Sequence, residues 1–267
     1  MRPRATLAAT SLLLAGCLGP GAPTRPAVPL PSAIEGEPTE PPQPLRYVAL
    51  GDAYPIGDGL SRQVDRWPNQ LVRGLRPLPL TLVENLAGQS DGTFDVIEEQ
   101  LPVLEELSPD LVTLQVGAND LVVSRLDEAE YRANLVTILD GRGGPPATAR
   151  KGILELVPPE CVVLVTTPDH TLWPGQRFER EGDAERLDRY NAILEEVATE
   201  RGVQVVDIAP IADLVPRDRT LLTDDGEHPS EKQYAGWVEL IAPTVQQLVA
   251  GTEAGQRCSG DSGPGMG

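Results

Sequence analysis

From Arg46 onward, short near-continuous apolar runs alternate with longer stretches whose apolar residues recur every three or four positions. Runs of strand length stand at 46–50, 80–84, 111–116, 161–167 and 203–208. Between them the helical period is clear. Leu187, Tyr190, Leu194 and Val197 share one face, and so do Tyr234, Val238, Ile241, Val245 and Leu248. Strands that are apolar almost throughout, alternating with helices, predict an α/β fold: a doubly wound parallel sheet of about five strands, covered on both faces. Trp67 and Trp237 fall in helical patterns and are expected in the core. The Gly- and Pro-rich segment 141–159 breaks the rhythm and is expected to be a surface loop.

A chain of 267 residues with 40% apolar content suits one domain with tails. Residues 45–250 carry the alternating pattern, and the segments outside it differ in kind. Arg2 and Arg4 precede an apolar run from Ala5 to Ala15 that is too short to span a bilayer. Residues 1–16 therefore have the shape of an export signal. The sequence Leu14-Ala15-Gly16-Cys17 resembles a bacterial lipobox, which implies lipidation of Cys17 and a membrane anchor at the cell envelope. Residues 17–44 are rich in proline and lack an apolar period, as an extended tether would be. Residues 251–267 are rich in Gly and Ser and are expected to be a disordered tail. Cys161 and Cys258 are then a candidate disulfide, although Cys161, at the head of an apolar run, also suits a small buried hydrophobe.

The formal charge of −18 leaves no basic stripe and argues against nucleic acid as a partner. Two histidines and two further cysteines show no metal-ligand spacing, so no metal or other cofactor is expected. Gly57-x-Gly59 lacks the lysine of a phosphate loop.

In doubly wound sheets, ligands sit beyond the carboxyl ends of the strands. Three polar segments fall there: Gly51-Asp52-Ala53, the stretch Asn85 to Thr93, and Gly117-Ala118-Asn119-Asp120. A fourth, Asp225-Gly226-Glu227-His228-Pro229, precedes the last helix. Taken in order, these segments resemble the SGNH (GDSL-type) hydrolase family, over roughly residues 46–250. Arg66 to Leu71 and Thr167-Pro168-Asp169 fit the same resemblance. It implies a three-layer, flavodoxin-like sheet and hydrolysis of a carboxylic ester, acyl or O-acetyl group on a lipid or sugar. It also implies roles: His228 as general base, Asp225 as its orienting partner, and an oxyanion site from Asn119 with the N–H groups of Ala53 and Ser90. Asp52, Gly117 and Asp120 would support them. Gly88 or Gly92 would replace Ser90 after a small shift of alignment. On the residues alone, His228 with Asp225 also reads as a surface histidine beside a capped helix start, and Asn119 as a turn residue.

The family's first motif reads Gly-Asp-Ser, and here residue 53 is alanine. A base at His228 would have no hydroxyl to deprotonate. Three functions follow. One is an impaired relative that binds an acyl-, ester- or glycan-bearing ligand at the envelope. Another is a hydrolase using water activated by His228 and Asp225, or a relocated serine at Ser90. The third is a lipid-anchored scaffold with a vestigial pocket. An open cleft would favour the first two over the third. His170 reads as an exposed loop residue or part of the pocket mouth, and Trp173 as a loop anchor or a substrate contact.

Overall fold

The computed structural model describes residues 43–145, 148–171, 173–176, 180–249 and Cys258. The export signal, Cys17, nearly all of the tether and the tail other than Cys258 lie outside the described residues. Five strands, β1 Leu45–Gly51, β2 Leu80–Asn85, β3 Leu111–Gln115, β4 Val162–Val165 and β5 Gln204–Val206, form one parallel sheet in the order β2-β1-β3-β4-β5. The helices are α1 Ala53–Ile56, α2 Trp67–Gly74, α3 Thr93–Asp95, α4 Leu101–Leu107, α5 Glu128–Asp140, α6 Asp183–Thr199, α7 Ala209–Ala212 and α8 Glu231–Val249. A wide π-type turn, Val96–Gln100, joins α3 to α4. None of the described helices is long and apolar enough to cross a membrane.

Alternation along the central strands builds the two cores. Val48, Leu50, Val112, Leu114, Val162 and Leu164 pack beneath α4, α5 and α6 on one face. Tyr47, Ala49, Val163 and Val165 pack beneath α2 and α8 on the other, around Trp67 and Trp237. Being buried on both sides explains why β4 reads as a continuous apolar run and β3 as a nearly continuous one, interrupted only by the buried Thr113 and Gln115. Of the two predicted helix faces, every residue is buried except Val238, which is partly covered.

The observed strands at 162–165 and 204–206 are shorter than their apolar runs. The Thr166 N–H still reaches the Val206 carbonyl at 3.1 Å, but beyond it the backbone leaves the ladder, and the Thr167 N–H and C=O are both taken by the Asn191 amide at 3.0 Å. β5 is an edge strand with one neighbour, so fewer residues are held in register. The expectation that 141–159 is a surface loop holds for only part of it. Arg142 and Arg150 pair antiparallel and both reach Glu98, but Ile153 and Val157 enter the core. Leu154 and Leu156 pack against the same core, so four apolar side chains draw that half inward. Cys161 and Cys258 are joined by a disulfide, with Cα atoms 5.6 Å apart, and both are buried. At Cys258, therefore, the tail is held against the domain.

Candidate active site

β1 and β3 are neighbours, and the chain leaves their carboxyl ends in different directions, which opens a crevice there. Gly51 closes β1 with φ +139°, and a Cβ at this position would fall 2.0 Å from the Gln115 carbonyl oxygen. Only glycine lets the strand turn so close to β3. Asp52 then caps α1, its carboxylate accepting from the Tyr54 N–H at 3.0 Å. The Tyr234 hydroxyl donates to the Tyr54 carbonyl at 2.8 Å and ties this single turn to α8.

Asp52 is wholly buried. Burial, reinforced by repulsion from Asp120, pushes its carboxyl up to about 7 against the opposing pull of the Tyr54 and Ala118 N–H groups and His170. The folded chain thus binds this proton more tightly than the unfolded chain, whose value is about 3.9. The stability it contributes is complete below the unfolded value and is lost as pH rises through about 7. Asp52→Asn should remove that dependence. The difference in unfolding free energy between parent and variant should change by on the order of 4 kcal/mol across this window. Urea titrations at a series of pH values check this, and a difference that does not vary with pH would rule it out.

The loop after β2 is fastened from several sides. The Asn85 amide donates to the Pro55 carbonyl at 2.7 Å, and the Gly88 N–H to the Gly51 carbonyl at 3.2 Å. Gln100 accepts from the Gly51 N–H at 3.0 Å and donates to the Gly51 carbonyl at 2.7 Å and to Asp91 Oδ2 at 2.8 Å. From the loop after β3, Asp120 receives the Thr93 N–H and hydroxyl, and the Asn119 amide donates to the Asp91 carbonyl at 2.9 Å. Burial raises the Asp120 carboxyl above its ordinary range, although its Thr93 bonds oppose this.

Three backbone donors were candidates in the second segment. The Gly88 N–H is taken by Gly51, and the Gly92 N–H donates to Asp95 Oδ2 at 2.8 Å. Among the described residues the Ser90 N–H donates to no protein group, nor does that of Ala53 in the first turn of α1.

In the fourth segment, Asp225 Oδ1 accepts from the Thr223 hydroxyl at 2.7 Å and the Glu227 N–H at 2.8 Å. Its Oδ2 lies 2.9 Å from His228 Nδ1. Partial burial would raise the Asp225 carboxyl, but the Thr223, Glu227 and His228 bonds outweigh it and hold the group down at about 2. An ionised acceptor fixed on Nδ1 orients the ring as a base–orienter pair requires. On its other side, His228 Nε2 lies 3.3 Å from Asp58 Oδ2.

Ala53, Asp58, Ser90, Asn119, His170 and His228 line one cleft of about 220 Å³. Asp225 stands behind His228, and Asp52, Gly117 and Asp120 lie beneath the loops. A larger groove of about 690 Å³ between α2 and β2 contains none of these groups. His170 is not an exposed loop residue: it is 1% exposed, its Nδ1 lies 3.0 Å from the Pro168 carbonyl, and it forms part of the cleft wall. Trp173 is buried as well, its ring edge-on to Tyr54 with centroids 6.2 Å apart, and it anchors the loop rather than lining the cleft. The cleft is open, and the four segments that are far apart in sequence meet around it.

The segments in this order match the model of the GDSL-like lipase/acylhydrolase family over residues 49–235. The chain belongs to this family. A multidomain esterase of Ruminococcus flavefaciens is 29% identical over 194 residues, 68% of this chain and 22% of its own length. This GDSL-family chain thus spans about a fifth of that relative. Among solved structures, the lipase/acylhydrolase of Enterococcus faecalis is similar, with TM-score 0.59 and 23% identity, covering 79% of this chain and 100% of that one. The psychrotrophic esterase EstA of Pseudoalteromonas sp. aligns with TM-score 0.56 and 13% identity over 77% of this chain and 99% of its own. At these identities the likeness is one of fold, and it agrees with the five-stranded sheet expected from the GDSL resemblance.

Sequence reasoning missed Asp58, Gln100 and Thr223. Nothing local marks Gln100, which acts at Gly51 across 49 positions.

Proposed function

We propose that this protein is an envelope-anchored GDSL-type esterase relative, impaired in hydrolysis, that binds an acyl-, ester- or glycan-bearing ligand in the cleft. The observation that carries this reading is Ala53. Ala53 lines the same cleft as His228, whose Nδ1 faces Asp225, so a methyl group stands there in place of a hydroxyl. The Ala53 and Ser90 N–H groups and the Asn119 amide would hold a ligand carbonyl oxygen. The anchor rests on the lipobox-like segment ending at Cys17.

Loss of the nucleophile from a serine triad lowers turnover by about 10⁶, leaving roughly 10³–10⁴ over water from binding and the oxyanion site. Wild-type protein is therefore expected to turn over p-nitrophenyl acetate and butyrate only at that residual level, with no change in His228→Ala. Steady-state assays with both proteins measure this. His228-dependent turnover by the wild type would instead support a hydrolase that uses water. The intact base–orienter pair favours that second reading, whereas the Asp58 contact on Nε2 weighs against it. Relocation to Ser90 has less support, since both nitrogens of His228 face other partners.

A further inference from the structure

Acidic residues outnumber lysine and arginine by 40 to 22, and much of the positive charge on the described surface is matched to a carboxylate. Arg62 pairs with Asp65, Arg132 with Glu196 and Glu200, Arg142 and Arg150 with Glu98, and Arg201 with Asp140. The groove between α2 and β2 departs from this pattern. Arg73 and Arg76 line it and no acidic residue does. Both arginines are exposed, and among the described residues neither has a salt bridge.

The groove follows from the way the chain passes from α2 to β2. The Leu75 N–H ends α2 on the Leu71 carbonyl at 3.0 Å, and the Leu78 N–H turns back to the Leu75 carbonyl at 2.9 Å, so Arg73 and Arg76 flank one bend. Arg73 Nη1 donates to the Val64 carbonyl at 3.0 Å, which holds the guanidinium in place and leaves most of its N–H groups for other acceptors. β2 is an edge strand, so no further strand covers this side of the sheet. The apolar walls come from Val64, Val72, Leu78 and Leu82, and Val64 is half exposed. At about 690 Å³ the groove falls within the ~300–1,000 Å³ of small-molecule sites, whose walls are likewise apolar with a few polar groups. It shares no lining residue with the cleft around Ala53.

We propose that this groove is a second ligand site, taking an amphiphilic carboxylate whose charged end meets Arg73 and Arg76 and whose chain lies along Val64, Val72 and Leu82. A planar guanidinium can pair with both oxygens of a carboxylate, and the walls offer apolar burial that a small anion alone would not use. A chain of formal charge −18 attracts cations in general, so selection of an anionic amphiphile has to come from a local feature. Binding here does not depend on the chemistry of the cleft.

Calorimetric titration of the full chain with dodecanoate, dodecyltrimethylammonium and acetate tests this, with the two amphiphiles kept below their micelle concentrations. Dodecanoate is expected to bind once per chain, about tenfold or more tightly than the ammonium, with acetate too weak to detect. Replacing both arginines, Arg73→Gln with Arg76→Gln, should weaken dodecanoate about tenfold or more while the circular dichroism spectrum stays the same. Asn119→Ala, which alters the cleft, should leave dodecanoate binding as it is. The proposal is overturned by any of four results: no saturable dodecanoate binding, a preference for the ammonium, binding that survives loss of both arginines, or binding lost in Asn119→Ala. Sedimentation with anionic phosphatidylglycerol vesicles in the absence of dodecanoate binding also overturns it, and makes the groove a lipid-surface contact instead.

Discussion

Ala53→Ser is expected to convert the protein into a measurable esterase whose activity disappears when His228→Ala is added. The substitution places a hydroxyl on an existing Cβ in the cleft wall, at the first position of α1, where serine does little harm to a helix. On the proposed reading the other groups needed are near: Asp225 lies against His228 Nδ1, and Ala53, Ser90 and Asn119 line the same cleft as His228. Restoring a nucleophile to such a frame should raise turnover of short p-nitrophenyl esters by about 10³-fold or more over wild type. Circular dichroism and thermal melting of the variant establish that the fold is unaltered. A folded but silent Ala53→Ser protein would mean that these segments meet without forming an ester-cleaving site.

The second large effect concerns the disulfide. Cys161 and Cys258 are 97 positions apart, and cross-linking so long a loop restricts the unfolded chain strongly. Chain entropy alone gives about 4–5 kcal/mol for a loop of this size, and native disulfides more often contribute about 2–4 kcal/mol. For a domain of this length, each kcal/mol corresponds to about 2–4 °C in Tm. Reduction, or Cys258→Ser, is therefore expected to lower Tm by about 4–16 °C. Calorimetry with and without reductant measures the shift, and the reductant should have no effect on Cys258→Ser. Equal Tm values for parent and variant would mean that the bond does not close in solution.

How much could be read from the chain varies with the range of the forces involved. The strands at 46–50 and 111–116 were plain because both faces are buried, so almost every residue must be apolar. Their ends were less plain, since Thr167 leaves the sheet for Asn191, a partner 24 positions away. The site segments were legible for a topological reason: three directly follow strands, and a parallel sheet brings those ends together. Ala53, Ser90, Asn119 and His228, singled out from the sequence, line one cleft, with Asp225 against His228. What stayed hidden is what depends on contact alone. His170 has a loop-like neighbourhood in sequence and is nevertheless buried, and Ile153 and Val157 enter the core from a segment rich in glycine and proline. Asp58 sits between two glycines whose left-handed conformations serve its approach to His228, yet in sequence they mark only a turn.

Two positions in the first loop stand under very different constraints. At Gly51 any side chain collides with β3, so a change there is opposed by folding itself. Ala53, two residues on, borders open space, and α1 is held by Asp52 and Tyr234 whatever residue 53 carries. A lineage could therefore lose or regain the hydroxyl in a single step without passing through an unstable ancestor. On the proposed reading, ligand capture and catalysis differ at residue 53 by one oxygen atom.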